Sequence, residues 1–294
     1  MWRWTRAARR WGGGAALGAL AAIRPAGLAA QTAAAELAVR FAGWTAVAGF
    51  EQAATDSLLA LLPGSARDRA GNVVVTLGRG APRRLASCAV DEPGYVVGAV
   101  TDDGYLRLRR VPGAAPAPLF DQALEGQRVT LVGDAGPVPG VVAVRSVHLA
   151  RFRAAAEAPF TVDDAFVDVG AASRAEAERL GLRVLTPVAL AKRPHRYGDG
   201  LLAAPVAGAR AACAALAAAL LARPQPRGTV VAAFTVQSRY ANTGLRAVEA
   251  LAGPFAEERQ AALAVRYGGT PVETVSLAAA DSLARALAAW IEGR

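Results

Sequence analysis

Apolar residues recur along this chain with more than one spacing. Between residues 31 and 62 they return every three to four positions, and this run stops at Pro63-Gly64, which predicts helical structure. The stretches "NVVVTL" and "RRLASCAV" that come next are short runs rich in apolar and β-branched residues, and such runs predict strands. The first part of the chain is therefore expected to combine helices with a sheet.

From Val97 to about Pro187 the pattern changes to short strands separated by turn residues. The segments "YLRLRRV", "QRVTLVG", "VVAVRSV" and "AFVDVG" are divided by glycine, aspartate and proline, as in small closed barrels. One compact helix interrupts them, because Ser173 and Glu176 have the spacing of a capping box and Gly181 suits a helix end. We expect a small β-barrel here.

The C-terminal part returns to helices and a strand. An alanine-rich stretch with Pro205 near its first turn and Pro224 beyond its end predicts a long helix. The run "TVVAAFTV" is continuously apolar, as expected of a central parallel strand that is covered on both faces. A closing helix from about Leu277 has its apolar residues on one stripe.

Together these patterns predict an α/β fold, a helix-flanked mixed sheet interrupted by a small inserted β-barrel domain. The sheet domain is expected in two parts, at 31–97 and 187–294, with the barrel at 98–186 between them. Residues 1–30 have a basic start, a short Gly/Ala/Leu run and small residues at "GLA", the pattern of an export signal. The alternative is a disordered, arginine-rich N-terminus.

The export signal predicts a periplasmic or secreted protein. Arg9-Arg10 precede the mildly apolar run, which favours the twin-arginine route. The apolar run is too short and too weak for a membrane span, and we expect no span elsewhere in the chain.

The basic character of the chain does not indicate nucleic-acid binding. The formal net charge is +9, but five of the 33 Lys and Arg residues precede Glu36, which leaves 28 against 24 acids, or +4. No basic block with interleaved aromatic residues is present beyond the N-terminus, and Lys192 is the only lysine. We therefore expect no nucleic-acid partner.

The two cysteines, Cys88 and Cys213, are too few for a disulfide framework. In an exported protein they could pair, but spacing in a sequence does not show proximity in space. Two small buried thiols are the interpretation favoured by the sequence.

Several stretches, in order, match one family. Cys88 to Tyr95 match a strand end with the pattern A-H-M-D-E-I-G-F, and Arg266 to Leu277 match R-Y-I-H-S-P-V-E-T-V-S-L. Between them lie "TDDGYLRLRRVPG", "GQRVTLVGDAGPVPGVVAVRSVHL", "FVDVGAASRAEAERLGLRV" and "FTVQ…GLRA". In this order and spacing the chain resembles the two-metal glutamyl, deblocking or tetrahedral aminopeptidases, over nearly everything after the leader.

The resemblance implies an aminopeptidase-type sheet with two divalent metals such as zinc or cobalt, held by His, Asp and Glu, and a glutamate as general base. This chain departs from that pattern at each metal-ligand position that can be matched, so no metal or other cofactor is expected. Ala89 and Gly269 stand where the family has its first and its closing histidine, and Ala204 stands where it has the bridging aspartate. Ser238 and Arg239 stand where it has the general base and the ligand glutamate.

A further ligand aspartate of the family lies in a segment for which this chain has only residues 248–265. Asp91 is the one retained position, and in the family this carboxylate supports the site and does not bind metal directly. We expect Asp91 to be a vestige that orders its turn.

Other candidate residues have both a chemical and a structural interpretation. A rewired single-metal site from Asp91, His195 and Asp199 is the alternative to a solvated loop at "KRPHRYGDG", and the loop is favoured. His148 is expected to be a structural histidine of the barrel. Ser87 or Cys88 as a nucleophile would need a base within hydrogen-bond reach, and the sequence supplies none.

The resemblance leaves three expectations for function. The chain is a catalytically inactive member that binds a ligand, such as a peptide, or assembles with copies of itself through the inserted domain. Alternatively it is an active metal-dependent aminopeptidase with an unrecognised ligand set. A structural protein of the export compartment, self-associating through the barrel, is the third.

Overall fold

A computed structural model describes residues 26–111, 120–144 and 159–294. The helices of this part are α1 (Ala26–Ala42), α2 (Gln52–Leu61), α3 (Arg174–Arg179), α4 (Ala207–Leu221), α5 (Thr243–Ala252) and α6 (Leu277–Glu292), with 3₁₀ turns at Phe120–Leu124 and Val162–Asp164. The strands are β1 (Ser65–Arg67), β2 (Val73–Gly78), β3 (Arg83–Ala89), β4 (Tyr95–Val100), β5 (Leu106–Arg110), β6 (Arg128–Gly133), β7 (Gly136–Val142), β8 (Phe166–Asp168), β9 (Pro187–Leu190), β10 (His195–Tyr197), β11 (Leu201–Ala203), β12 (Thr229–Thr235), β13 (Glu257–Gln260) and β14 (Thr274–Ser276).

The main sheet has five strands in the order β1-β2-β12-β3-β13. β12 lies at its centre, parallel to β3 and antiparallel to β2, so the sheet is mixed. Every residue of β12 is buried, which confirms the prediction of a strand covered on both faces. A smaller antiparallel sheet, β10-β11-β14, lies beside it.

Helices cover both faces of the main sheet because β12 alternates its side chains. Val230 and Phe234 pack into the large core with α1, α4 and α6. Val231 and Ala233 pack on the opposite face with Val248 of α5. The predicted fold class is confirmed.

The stretch predicted as helical before Pro63 contains two helices and not one. Residues 43–51 separate α1 from α2, and Val47 bridges in parallel to Glu92. Backbone hydrogen bonds join Glu92 N–H to Ala46 O at 2.8 Å and Ala48 N–H to Glu92 O at 3.1 Å. The break therefore comes from pairing with a distant segment, which helical spacing in the sequence could not reveal.

The inserted domain is a closed barrel with the strand order β4-β5-β8-β7-β6-β9. Its own apolar core includes Leu106, Leu131 and Val167. The barrel strands run from Tyr95 to Leu190, so β4 and β9 extend beyond the predicted limits of 98 and 186. Residues 1–25, most of the predicted export signal, and His148 lie outside the described residues.

The helix predicted within the barrel segment forms as α3. Ser173 Oγ accepts the N–H of Glu176 at 3.3 Å, as a helix cap should. The carboxylate of Glu176 accepts the N–H of Ala172 at 2.8 Å, one residue before the position that a capping box requires. Ser173 therefore caps the helix as predicted, but the Glu176 side chain binds the backbone of Ala172 and not that of Ser173.

None of the helices in the described part of the chain combines the length and the apolar character that a membrane crossing requires.

Cys88 and Cys213 form a disulfide, and the interpretation as two free thiols was wrong. Cys88 lies in β3 and Cys213 in α4, which packs directly on that strand. The packing brings the two Cα atoms to 5.4 Å although 125 residues separate them in sequence. The bond joins the two parts of the sheet domain across the inserted barrel.

We expect removal of this bond to lower the free energy of unfolding by about 2–5 kcal/mol, because it closes a long loop in the unfolded chain. The measurement is urea denaturation of the oxidised protein and of C88A/C213A. Reduced wild-type protein controls for the change of side chain and should show the same shift, whereas a reductant should leave the double variant unaffected. Equal midpoints for the oxidised and reduced wild type would contradict the expectation.

Candidate functional site

The candidate site lies where β3 and β12 end. These strands are parallel, so their carboxyl ends lie at the same edge of the sheet, the usual place for a site in an α/β protein. β3 leads into Asp91 and Glu92, and β12 leads into the loop Gln237-Ser238-Arg239. The N–H of Val90 donates to Thr235 O at 2.9 Å and holds the two strand ends together.

Asp91 is buried, with 3% of its surface exposed, and it binds backbone. Its Oδ1 accepts the N–H of Ser238 at 3.0 Å and its Oδ2 accepts the N–H of Arg239 at 3.1 Å. Both carboxylate oxygens are thus engaged by the loop that begins at the end of β12. Asp91 fixes the backbone of the two positions matched to the family's glutamate pair, which lie in a different segment from the turn that Asp91 was expected to order.

Glu92 is also buried and is the centre of a charged cluster. Its Oε1 accepts the N–H of Ala46 at 2.8 Å, and Lys192 Nζ donates to Oε2. Arg210 of α4 brings Nη2 to 3.7 Å from Oε1. Burial lowers the pKa of Lys192 and of Arg210, while the Glu92 carboxylate opposes both shifts. We call these three side chains the Glu92 cluster.

Sequence reasoning missed the Glu92 cluster. Two signals pointed to it: Lys192 is the only lysine of the chain, and Arg210 is a charge inside an alanine-rich helix. Neither signal identifies Glu92 as the partner, because the three residues lie far apart in sequence.

Glu273 holds another part of the same edge. Its Oε1 accepts the N–H of Gly208 at 2.9 Å, and its Oε2 accepts the N–H of Gly269 at 3.0 Å. Its backbone oxygen accepts the N–H of Ala204 at 3.0 Å. Two positions matched to metal ligands, Ala204 and Gly269, are therefore fixed around one glutamate.

A cavity of about 130 Å³ opens between these groups. We call it the Arg239 cavity, since that residue is part of its lining. Among the residues that line it are Glu92, Lys192, Pro205, Val206, Arg239, Gly269 and Glu273. The structure thus brings three of the matched positions, or their direct neighbours, to one pocket.

The residues at this edge do not fit the two metals that the resemblance implies. Ala89, Ala204 and Gly269 have no side-chain donor atom, and both oxygens of Asp91 already accept backbone N–H groups. Arg239 brings a cation to a ligand position. Within the described residues, no group of three or more His, Cys, Asp or Glu could hold a metal ion.

The other candidate residues do not assemble into a site. His195 lies on β10 and Asp199 in the turn after it; both are exposed, and the His195 ring stacks on Tyr197 with centroids 5.8 Å apart. They form no metal-binding group with Asp91. Cys88 is in a disulfide and is no free nucleophile, and Ser87 is buried within β3.

A larger cavity, of about 1110 Å³, lies between α2 and the barrel strands β6 and β7. None of the positions matched to metal ligands lines it. One of its acidic residues, Glu51, accepts the N–H groups of Gly49 at 2.9 Å and Gln237 at 2.8 Å, and burial raises the pKa of Glu51. This cavity is a cleft between the two domains that reaches the end of β12 at Val236 and Gln237.

Comparison with known proteins identifies the family. A model of the M42 glutamyl aminopeptidase family matches residues 71–267. The chain is 32% identical over 138 residues to a lysyl aminopeptidase of Pyrococcus furiosus, an alignment that covers 47% of this chain and 38% of that protein. The chain spans about half the length of the curated relatives that it matches.

Solved structures share the fold. An aminopeptidase from the archaeon Desulfurococcus kamchatkensis superimposes with a TM-score of 0.74 at 17% identity, covering 90% of this chain and 96% of that one. The TET1 peptidase of Pyrococcus horikoshii gives a TM-score of 0.71 at 19% identity, covering 88% and 99%. At these identities the likeness concerns the fold alone.

We expect Asp91→Asn to lower the free energy of unfolding by about 1–3 kcal/mol, because one buried N–H would then face an amide donor in place of an acceptor. Asp199→Asn is the matched control on an exposed side chain and should change it by less than about 0.5 kcal/mol. Urea denaturation of both variants measures the difference. A variant at Asp91 as stable as the control would show that its two hydrogen bonds do not order the loop.

Proposed function

The chain belongs to the M42 glutamyl aminopeptidase family, and from this membership we propose that it is a catalytically inactive member that serves as an exported binding or assembly protein. One observation carries the proposal. Arg239 lines the cavity at the strand ends where the family's ligand glutamate is expected, and Ser238 stands at the neighbouring position of the general base.

The chemistry of these side chains supports inactivity. Hydrolysis of a peptide bond needs an activated water and a group that takes up its proton. Ser238 is not a base at neutral pH, and the Asp91 carboxylate already accepts two backbone N–H groups. Glu92 is paired with Lys192, and Glu273 binds two backbone N–H groups. No carboxylate among the described residues at this edge is left in the role of a general base.

The alternative is an active metal-dependent aminopeptidase with a ligand set that the family pattern does not describe. The name of the Pyrococcus furiosus relative, a lysyl aminopeptidase, favours it. The absence of donor atoms at Ala89, Ala204 and Gly269 opposes it.

Metal content and activity decide between the two. We expect the protein, equilibrated with zinc or cobalt and then dialysed, to retain no stoichiometric metal and to release no amino acids from short peptides. A chelator should leave its melting temperature unchanged, since no metal stabilises the fold. Two metals per chain together with amino-acid release would overturn the proposal and establish the alternative.

The assembly part of the proposal rests on the barrel. Its exposed side chains include apolar residues, among them Val141 on β7 and Phe166 on β8, and exposed apolar surface is typical of contact regions. The Pyrococcus horikoshii TET1 peptidase is described as assembling into a tetrahedron or a large octahedral shell. For this chain we propose a homo-oligomer through the inserted domain, with a symmetric dimer as its smallest form.

Light scattering at micromolar concentration should give at least twice the mass of one chain. Val141→Glu places a charge on the barrel surface and should shift the mass toward the monomer. Val272→Glu is the control, since Val272 is similarly exposed, at 57% against 51%, but lies on the sheet domain. A monomeric wild type would contradict the assembly proposal. If both variants lower the mass equally, the barrel is not the contact surface of the oligomer.

Export remains part of the proposal. The disulfide between Cys88 and Cys213 supports an oxidising compartment such as the periplasm or the exterior, where such bonds persist. No nucleic-acid partner is proposed.

A further inference from the structure

We infer that the Arg239 cavity binds a carboxylate group, either of a small free acid or of a peptide C-terminus, with the Arg239 guanidinium as its partner. The inference rests on the proposed function, since it assigns a ligand to the position from which the metal ligands are missing. Three observations support it: the partners of the acidic residues in the cavity wall, the buried Nε of Arg239, and the volume of the cavity.

The acidic residues that line the cavity are already engaged. Glu92 has Lys192 and Arg210 as cationic partners and accepts the N–H of Ala46. Glu273 uses one oxygen for Gly208 and the other for Gly269. Within the described residues, neither carboxylate forms an ion pair with Arg239.

The Arg239 side chain differs from these carboxylates in its contacts. In the described part of the chain it forms no ion pair or hydrogen bond, and its Nε is buried without a partner. The residue as a whole is half-buried, and a buried N–H that has no acceptor costs free energy. Its own backbone N–H is held by Asp91, which anchors the residue at the cavity.

A carboxylate is the ligand that meets these conditions. The guanidinium is planar and presents parallel N–H donors that fit the two oxygens of a carboxylate. A bound carboxylate would supply both the missing charge and the missing acceptor.

The volume of the cavity limits the size of the group attached to the carboxylate. A volume of about 130 Å³ corresponds to roughly four water molecules at liquid density. The wall also contains the apolar side chains of Phe120, Leu190, Pro205 and Val206. A carboxylate with a short aliphatic group fits this lining, and a longer chain would have to extend out of the cavity.

Calorimetric titration with propionate tests the inference, in the presence of a chelator so that no metal contributes. Propanamide, which has the same shape without the charge, is the matched ligand control. We expect saturable binding of propionate, none of propanamide, and a loss of affinity of about tenfold or more in Arg239→Gln. Arg246→Gln removes the same charge from the exposed face of α5 and should bind propionate like the wild type.

A second pair of ligands separates the two sources of the carboxylate. Binding of tri-alanine but not of its C-terminal amide would identify a peptide C-terminus, and binding of propionate alone would identify a small acid. The inference is overturned if neither carboxylate binds, if acid and amide bind equally, or if Arg239→Gln binds like Arg246→Gln. The amide comparison uses wild-type protein alone, so it decides even if Arg239→Gln does not fold. These outcomes are independent of the proposed inactivity, because that depends on metal uptake and peptide hydrolysis.

Discussion

The buried charge of Glu92 is the constraint on which the rest of the site depends. A carboxylate with 1% of its surface exposed is stable only if cations and N–H groups surround it. Its partners come from the loop before α2, from the segment after β9 and from α4, through Ala46, Lys192 and Arg210. One buried charge therefore joins the sheet domain to the exit of the barrel and sets the edge at which the cavity opens.

Two other carboxylates have become structural at the same edge. Asp91 binds the backbone of Ser238 and Arg239, and Glu273 binds the backbone of Gly208 and Gly269. Backbone N–H groups satisfy a carboxylate without any cation, which explains how these acids remain buried at an edge without metal ligands. Hydrogen bonds to main chain thus fix the positions that we match to the ligands of the family site.

The sheet domain and the barrel are each stabilised in a different way. The disulfide between Cys88 and Cys213 crosses the interface of β3 and α4 within the large core, so it ties the two sequence parts of the sheet domain. The barrel closes on its own apolar core and meets the sheet domain through the strand ends at Tyr95 and Leu190.

The sequence by itself determined the α/β class, the buried central strand at 229–235, the inserted barrel and the family, because these depend on local periodicity and on motifs within short segments. It also matched Ala89, Ala204 and Gly269, whose side chains have no donor atoms, to ligand positions of the family. Only the tertiary structure decided the pairing of the cysteines, the break between α1 and α2, the Glu92 cluster and the Nε of Arg239, which is buried without a partner among the described residues. Each of these depends on residues far apart in the chain, and no spacing in a sequence measures such a distance.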